Sequence, residues 1–531
     1  MKKNNVAIAG IGITKQAKSL DTNTIQICVE AVQRALEDAG MNLAEVDGIA
    51  ARWPGPGGTK LDPGVVDWTG IFGKPFRWVG DTYPQGVPGL LDAAAAVSFG
   101  LCNVAVVFGG QAGVLKRENL ADYTQPNNEF IKPWGLFTAA HFAMVAQVYF
   151  QRFQPDRFKM SSIASEIRNA GAQNPEAVMY GKGPYTPEDI INSPRIAEPF
   201  HLLDLCLATE GASAFIVTTA ERAKDCPQKP IQILGGSSEW YRQQYVDPAR
   251  YDEVKRLGKQ AFETTFNQAG INAHDIDLFE LYDINTWEIV RQFETLGLCE
   301  EGEGSDFLYE NGIGIDGNFP TNTDGGLLSF SHTGWGGPNL KIIEAVKQLR
   351  GQASGIQISE PKHVLVTGAG SGAQYFNAAI LASSLIRGGK LETIRDLIPP
   401  PHIEGIKHFV DFASVDEILR SKDFRQGSHQ ESQPFFGDSL LTIDHDVHFE
   451  RRRLQAPLFR KEALEYYEHE ELLPLIERAL EECKEASNDA GEVRTDLCAL
   501  VRTMLARISA VTTGIDGVDT QERTDAFRTY I

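Results

Sequence analysis

At 531 residues, with 42% hydrophobic and 23% charged residues, the chain has a globular composition and length for about two to four domains. A formal net charge of −21 excludes nucleic acid and anionic membrane surfaces as main partners, because both require clustered Lys and Arg. The cysteines at 28, 102, 206, 226, 299, 483 and 498 are odd in number and contain no CxxC pair. That excludes a disulfide framework and a structural zinc site, and the expected location is the reducing cytoplasm.

The start, Met1 to Gly10, is basic but lacks the apolar centre of a signal peptide. Val6 to Gly12 is a β-branched run ending in glycines and predicts a buried first strand. Gly10-Ile-Gly12-Ile-Thr-Lys15 has only two glycines of the dinucleotide fingerprint, so nicotinamide binding is excluded; Gly368-Ala-Gly370-Ser-Gly372 has the wrong spacing too. Thr24 to Gly40 has helical periodicity and stops at a glycine. The most apolar window, Leu90 to Gly110, is broken by Asp92, Asn103 and glycines, and predicts a helix then a strand instead of a membrane span.

A turn, helix, strand and glycine recur. Tyr83-Pro-Gln-Gly86, helix 90–100 and strand Val104–Gly110 are echoed by His332-Thr-Gly-Trp-Gly-Gly337, helix 340–350 and strand Val364–Gly370. Two related halves of α/β class are the expectation. Beyond about residue 390 the texture changes. Leu397-Ile-Pro-Pro-Pro-Pro-His402 predicts a stiff linker, and the chain after it is helical and charge-rich.

Four stretches, Leu202–Thr218, Glu280-Leu-Tyr-Asp-Ile-Asn285, Asn322–His332 and Val364–Gly372, resemble the sterol-carrier-protein branch of the thiolase superfamily in wording, order and spacing. The resemblance runs from about residue 5 to 385. It implies a five-layered αβαβα thiolase fold of two related halves, 1–230 and 231–390, usually as a homodimer with its active site between the halves. It also implies a nucleophilic cysteine at the head of the first-half helix, where amides and the helix dipole favour a thiolate. Tyr83 stands there, and Gly368 stands where the second, proton-shuttling cysteine belongs. An acyl-cysteine mechanism is therefore not expected.

The family's Gly-His-Pro histidine falls on His332, with Thr333 in place of the proline. A neutral imidazole there can donate to a thioester oxygen as charge develops, although a structural turn histidine is the other reading. Tyr282 lies in the acyl-pocket loop and offers a phenol as acid or base, or a core tyrosine. Asp283 is read as the cap of the helix beginning near Thr286 before an orienting role in that loop. The expected site is thus His332 and Tyr282 as catalytic residues, with Tyr83, Gly334 and Gly370 lining the substrate.

Residues 391–412 are read as linker, and 413–531 as a mainly α-helical fragment resembling the front of a cytochrome P-450. The carrying stretch is Gly437–Phe459, in which His448 and Arg452 match a pair that meets haem propionates. Neither Cys483 nor Cys498 sits in a haem-ligating Phe-x-x-Gly loop, so monooxygenation by this chain alone is not expected and haem would need a partner chain. Asp444-His-Asp-Val-His448-Phe-Glu450 is read as a solvated turn, and no metal is expected.

The resemblance implies a Cys-independent retro-aldolase acting on a β-hydroxyacyl-CoA, with a steroid or other branched side chain as the substrate class, together with a small zinc-ribbon and OB-fold partner protein. Coenzyme A enters as part of the substrate, with no tightly bound cofactor. The alternatives are acyl transfer through Tyr83 or Cys206, and a non-catalytic lipid-transfer or scaffold subunit.

Overall fold

The computed structural model describes residues 5–51, 66–80, 86–113, 138–241, 250–370 and 375–383, with isolated helical positions between Tyr466 and Arg523. The chain divides into two compact units, Met1–Glu404 and Gly405–Ile531. Tyr83, the 391–412 segment, His448 and Arg452 lie outside the described residues. No helix among the described residues is long and apolar enough to cross a membrane.

The first unit opens with β1 (Val6–Ile13), α1 (Thr24–Ala39), β2 (Gly48–Ala50), α2 (Val66–Phe72), β3 (Trp78–Gly80), α3 (Val87–Ser98) and β4 (Val104–Gln111). It continues through α4 (Thr138–Phe153), α5 (Arg157–Gln173), α6 (Pro187–Asn192), β5 (Arg195–Ala197), β6 (Phe200–His201), β7 (Gly211–Thr219) and α7 (Ala220–Ala223). The second half comprises β8 (Ile231–Trp240), α8 (Tyr251–Val254), α9 (Lys259–Ala269), β9 (Leu278–Glu280), α10 (Thr286–Leu296), α11 (Gly304–Asn311), α12 (Gly337–Arg350), β10 (His363–Gly370) and β11 (Tyr375–Ala382).

Strand order is β3-β2-β4-β7-β1-β8-β11-β10-β9. β1 and β8 touch only through Ala7↔Gln232 and Ile8↔Ile231. Outward from that seam each half repeats one pattern. β1 pairs antiparallel with β7, β7 antiparallel with β4 and β4 parallel with β2, as β8 pairs antiparallel with β11, β11 antiparallel with β10 and β10 parallel with β9.

The local chemistry repeats as well. α1 ends at left-handed Gly40, and Asn42 and Glu45 then form a capping box before β2; α9 ends at left-handed Gly270, and Asn272 and Asp275 do the same before β9. Asp47 accepts the N–H groups of Asn103 and Val104 (2.7 and 2.8 Å), and Asp277 those of Lys362 and His363 (2.8 and 2.9 Å).

Three apolar clusters alternate with the sheets. One lies under α1, one holds α3 and α12 between the halves, and one gathers α4, α5, α9 and α10. This is the five-layered αβαβα thiolase fold expected from the sequence. Gly10 and Gly12 serve packing, since a Cβ at either would fall within 2.4 Å of an α1 carbonyl oxygen. Both middle-layer helices begin earlier than their apolar periodicity suggests, because Pro88 and Pro338 fit a first turn that needs no proline N–H.

Candidate active site

The heads of α3 and α12 meet. The Gly86 N–H donates to Asn339 Oδ1 (2.7 Å), and a Cβ at Gly86 would lie 2.6 Å from Pro338 Cβ. His332 stands beside this junction, its imidazole against the first residue of α12: a Cβ at Gly337 would sit 3.0 Å from His332 Cδ2. Burial pushes the His332 pKa down to about 4, so the ring is neutral near pH 7. Its backbone is fixed by Thr209, whose Oγ1 accepts the His332 N–H (2.8 Å) and whose N–H donates to the His332 carbonyl (3.2 Å).

Tyr282 follows the buried end of β9. The preceding Leu281 is clamped at both backbone groups by Asn322 (2.8 and 2.9 Å). The Tyr282 N–H donates to Thr367 Oγ1 (2.9 Å), its carbonyl accepts from Gln292 Nε2 (2.9 Å), and Thr367 Oγ1 donates to Gln292 Oε1 (2.5 Å). The ring is 6% exposed and packs in the outer apolar cluster of the second half.

Asp283 is not the cap of α10. Asn285 takes that role, accepting the Glu288 N–H at 2.9 Å. Asp283 instead reaches across to a π turn, Gly326–Phe330, and accepts the N–H groups of Leu327 (2.9 Å) and Leu328 (3.2 Å). The reason is local: those first-turn amides have no partners within their own turn, and a buried carboxylate satisfies two at once. The Tyr282 loop is therefore bonded directly to the segment that ends in His332.

A strip of extended chain stitches the same two segments together. Cys206 N–H bonds the Ile284 carbonyl (3.0 Å), Leu207 N–H the Leu327 carbonyl (2.9 Å), and Thr209 the His332 backbone. Burial and then the Asp283 carboxylate push the Cys206 thiol up to about 12, so it stays protonated and is a poor nucleophile. Cys206→Ser is accordingly expected to leave turnover within about twofold, with no acyl adduct detectable by mass spectrometry of the wild type after incubation with an acyl-CoA.

The glycines have distinct uses. Gly334 has φ +57°, and a Cβ there would lie 2.3 Å from Gln111 Oε1. Gly370 makes room for Tyr375 across the β10–β11 hairpin, whose Oη would be 2.0 Å from any Cβ. Gly368, where a thiolase thiol belongs, has Asn377 Oδ1 at 3.2 Å from its Cβ position.

One part of the site was missed by sequence reasoning. Lys341 Nζ, on α12, pairs with Glu280 Oε2 (3.2 Å), Asp283 Oδ1 (3.5 Å) and Asp324 Oδ1 (3.8 Å), every one of these side chains at most 2% exposed. Burial raises the Glu280 and Asp324 pKa values despite the ammonium, and pushes Glu344 up to about 7. Three carboxylates around one cation leave an excess negative charge that burial disfavours, so protons are retained in the cluster. The available signals were a lysine within Leu340-Lys-Ile-Ile343 and a glutamate ending the buried strand Leu278-Phe-Glu280.

Residues 238–383 match the family model described as Thiolase C-terminal domain-like. A 17-hydroxy-3-oxo-4-pregnene-20-carboxyl-CoA lyase of Mycobacterium tuberculosis is 34% identical over 395 residues, covering 70% of this chain and 98% of the relative. A steroid side-chain-cleaving aldolase of Thermomonospora curvata is 33% identical, covering 69% and 95%. The solved structure of the Ltp2-ChsH2(DUF35) aldolase superposes with a TM-score of 0.61 at 28% identity, over 72% of this chain and 98% of that one. On fold, site frame and sequence together, the chain belongs to the thiolase-like family of acyl-CoA lyases and acyltransferases that includes the steroid side-chain-cleaving aldolases.

Proposed function

We propose that the chain cleaves a carbon–carbon bond of a β-hydroxyacyl-CoA by a retro-aldol reaction, with no covalent acyl-enzyme. The observation that carries this reading is a neutral His332 at the head of α12, bonded into one frame with the Tyr282 loop. Tyr282 takes the proton of the β-hydroxyl. The C–O bond becomes a carbonyl, the Cα–Cβ bond breaks, and its electron pair passes to Cα as a thioester enolate. His332 donates a hydrogen bond to the enolate oxygen, and return of the proton from Tyr282 to Cα releases a shortened acyl-CoA beside a ketone or aldehyde.

A steroid or other branched acyl chain is the substrate class we favour, supported by relatives named for a pregnene carboxyl-CoA and for steroid side chains. We further propose a homodimer in the cytoplasm with no tightly bound cofactor. The two-component name of the aldolase at 28% identity supports a partner protein, for which we propose a small zinc-ribbon and OB-fold type. Residues 413–531, with His448 and Arg452, we read as a cytochrome P-450-like remnant without oxygenase chemistry of its own.

The test is incubation of the protein, with and without such a partner, with branched β-hydroxyacyl-CoA thioesters, reading both products by mass spectrometry. Cleavage is expected, and Tyr282→Phe is expected to lower kcat by roughly 10²–10⁴-fold. No cleavage by the complex would leave a lipid-binding or scaffold subunit as the reading.

A further inference from the structure

Asn377 on β11 is wholly buried, and neither atom of its amide has a hydrogen-bond partner among the described residues. Buried polar groups are nearly always paired, so an amide with both atoms unspent is a place for a ligand to supply the partner. Strand alternation sets its direction. Ala379 and Leu381, on the same face, pack in the middle-layer cluster with α3 and α12, while Phe376 and Ala378 face the outer cluster. Asn377 also sits directly opposite Gly368 in the β10–β11 register.

The internal repeat sharpens this placement. Asp47 and Asp277 anchor equivalent points at Val104 and His363, which makes Gly109 the counterpart of Gly368 and Ser213, paired with Gly109, the counterpart of Asn377. Ser213 spends its hydroxyl on the Gly336 carbonyl at the head of α12 (3.0 Å). Asn377 occupies the matching position on β11, and its amide has no partner among the described residues. A Cβ at Gly368 would reach to 3.2 Å from its Oδ1, so a side chain there would crowd the amide.

We propose that Asn377 is a specificity-determining substrate contact that takes the hydroxyl of the acyl chain. An amide presents one donor and one acceptor side by side, and a hydroxyl both accepts and donates, whereas an unsubstituted acyl chain would leave both amide atoms unpaired. The contact selects hydroxylated over plain acyl-CoA and holds the hydroxyl oxygen as it becomes a carbonyl. This rests on the retro-aldol reading for the identity of the hydroxyl, but is tested separately from cleavage.

The test uses a pair of non-cleavable CoA thioethers of equal chain length, with and without a 3-hydroxyl, titrated calorimetrically into the full-length protein. The wild type is expected to prefer the hydroxylated ligand by about tenfold. Asn377→Leu is expected to bind the two equally, with a melting temperature at or above that of the wild type because an unpaired buried amide has been removed. Asn377→Ser, which installs the side chain of the first-half counterpart, serves if the leucine variant does not fold, with the same loss of preference expected. A preference retained in the folded variant overturns the contact even if the wild type cleaves β-hydroxyacyl-CoA. A preference abolished in the variant while the wild type cleaves nothing sustains the contact and removes the cleavage reading instead.

Discussion

Replacing His332 by alanine is expected to lower kcat/KM for β-hydroxyacyl-CoA cleavage by roughly 10²–10³-fold, the scale of losing one donor to a developing oxyanion. The loss should fall mainly on kcat, because the enolate charge exists only beyond the ground state. Desolvation holds the His332 pKa near about 4, well below the ordinary histidine value, so the donor is the neutral ring across the physiological range. The wild-type pH–rate profile should therefore lack a break near pH 6.5 that belongs to this residue. A break there that vanishes in His332→Gln would show that the imidazolium, not the neutral ring, takes part.

Lys341→Met should cost the most stability of any single substitution in the site frame. It removes the cation from Glu280, Asp283 and Asp324 while all three remain buried, a situation worth about 3–5 kcal/mol. The sign with pH follows from proton binding. Without Lys341 the folded pKa values of Glu280 and Asp324 rise further above their unfolded values, so the native state binds more protons than the unfolded state above about pH 4, and stability falls as pH rises. Urea melts at pH 5 and pH 8 should show the larger deficit at pH 8. Equal deficits would mean that the lysine acts through packing alone. Turnover should fall with stability, because Asp283 would lose the ammonium that helps hold it under Leu327 and Leu328.

The elements that were legible in the sequence are those whose burial is complete and whose punctuation is local. β1, α1, β4 and β10 lie within a residue or two of their expected positions because apolar runs and glycine stops mark them. The heads of α3 and α12 were less clear, since a first-turn proline reads as a turn in sequence and as a helix start in space. The second repeat, Ala39–Ala50 against Ala269–Glu280, was present in the letters but spread over Asn, Glu/Asp and Asp positions that look like ordinary loop polarity. Only the hydrogen bonds show what those residues share.

Site residues divide along the same line. His332 and Tyr282 were found because their motifs are contiguous. Asp283 was assigned to the nearest helix, although the orphan amides it serves lie about 44 residues away in sequence. Asn377 and Lys341 carry no motif; a polar residue inside an apolar strand or helix acquires meaning only when its neighbours across the sheet are known.

The duplicated anchor at Asp47 and Asp277 has a consequence for how such a site can change. Each carboxylate grips two successive amides at the edge of its own half, far from the meeting helix heads, so the frame holds its shape through bonds that no reactive group takes part in. Residues around the heads are then free to diverge between halves, and Ser213 and Asn377 have done so at matched positions. A scaffold secured at its periphery in duplicate can exchange a thiol for a glycine at its centre and remain the same scaffold, which is how one architecture comes to host more than one chemistry.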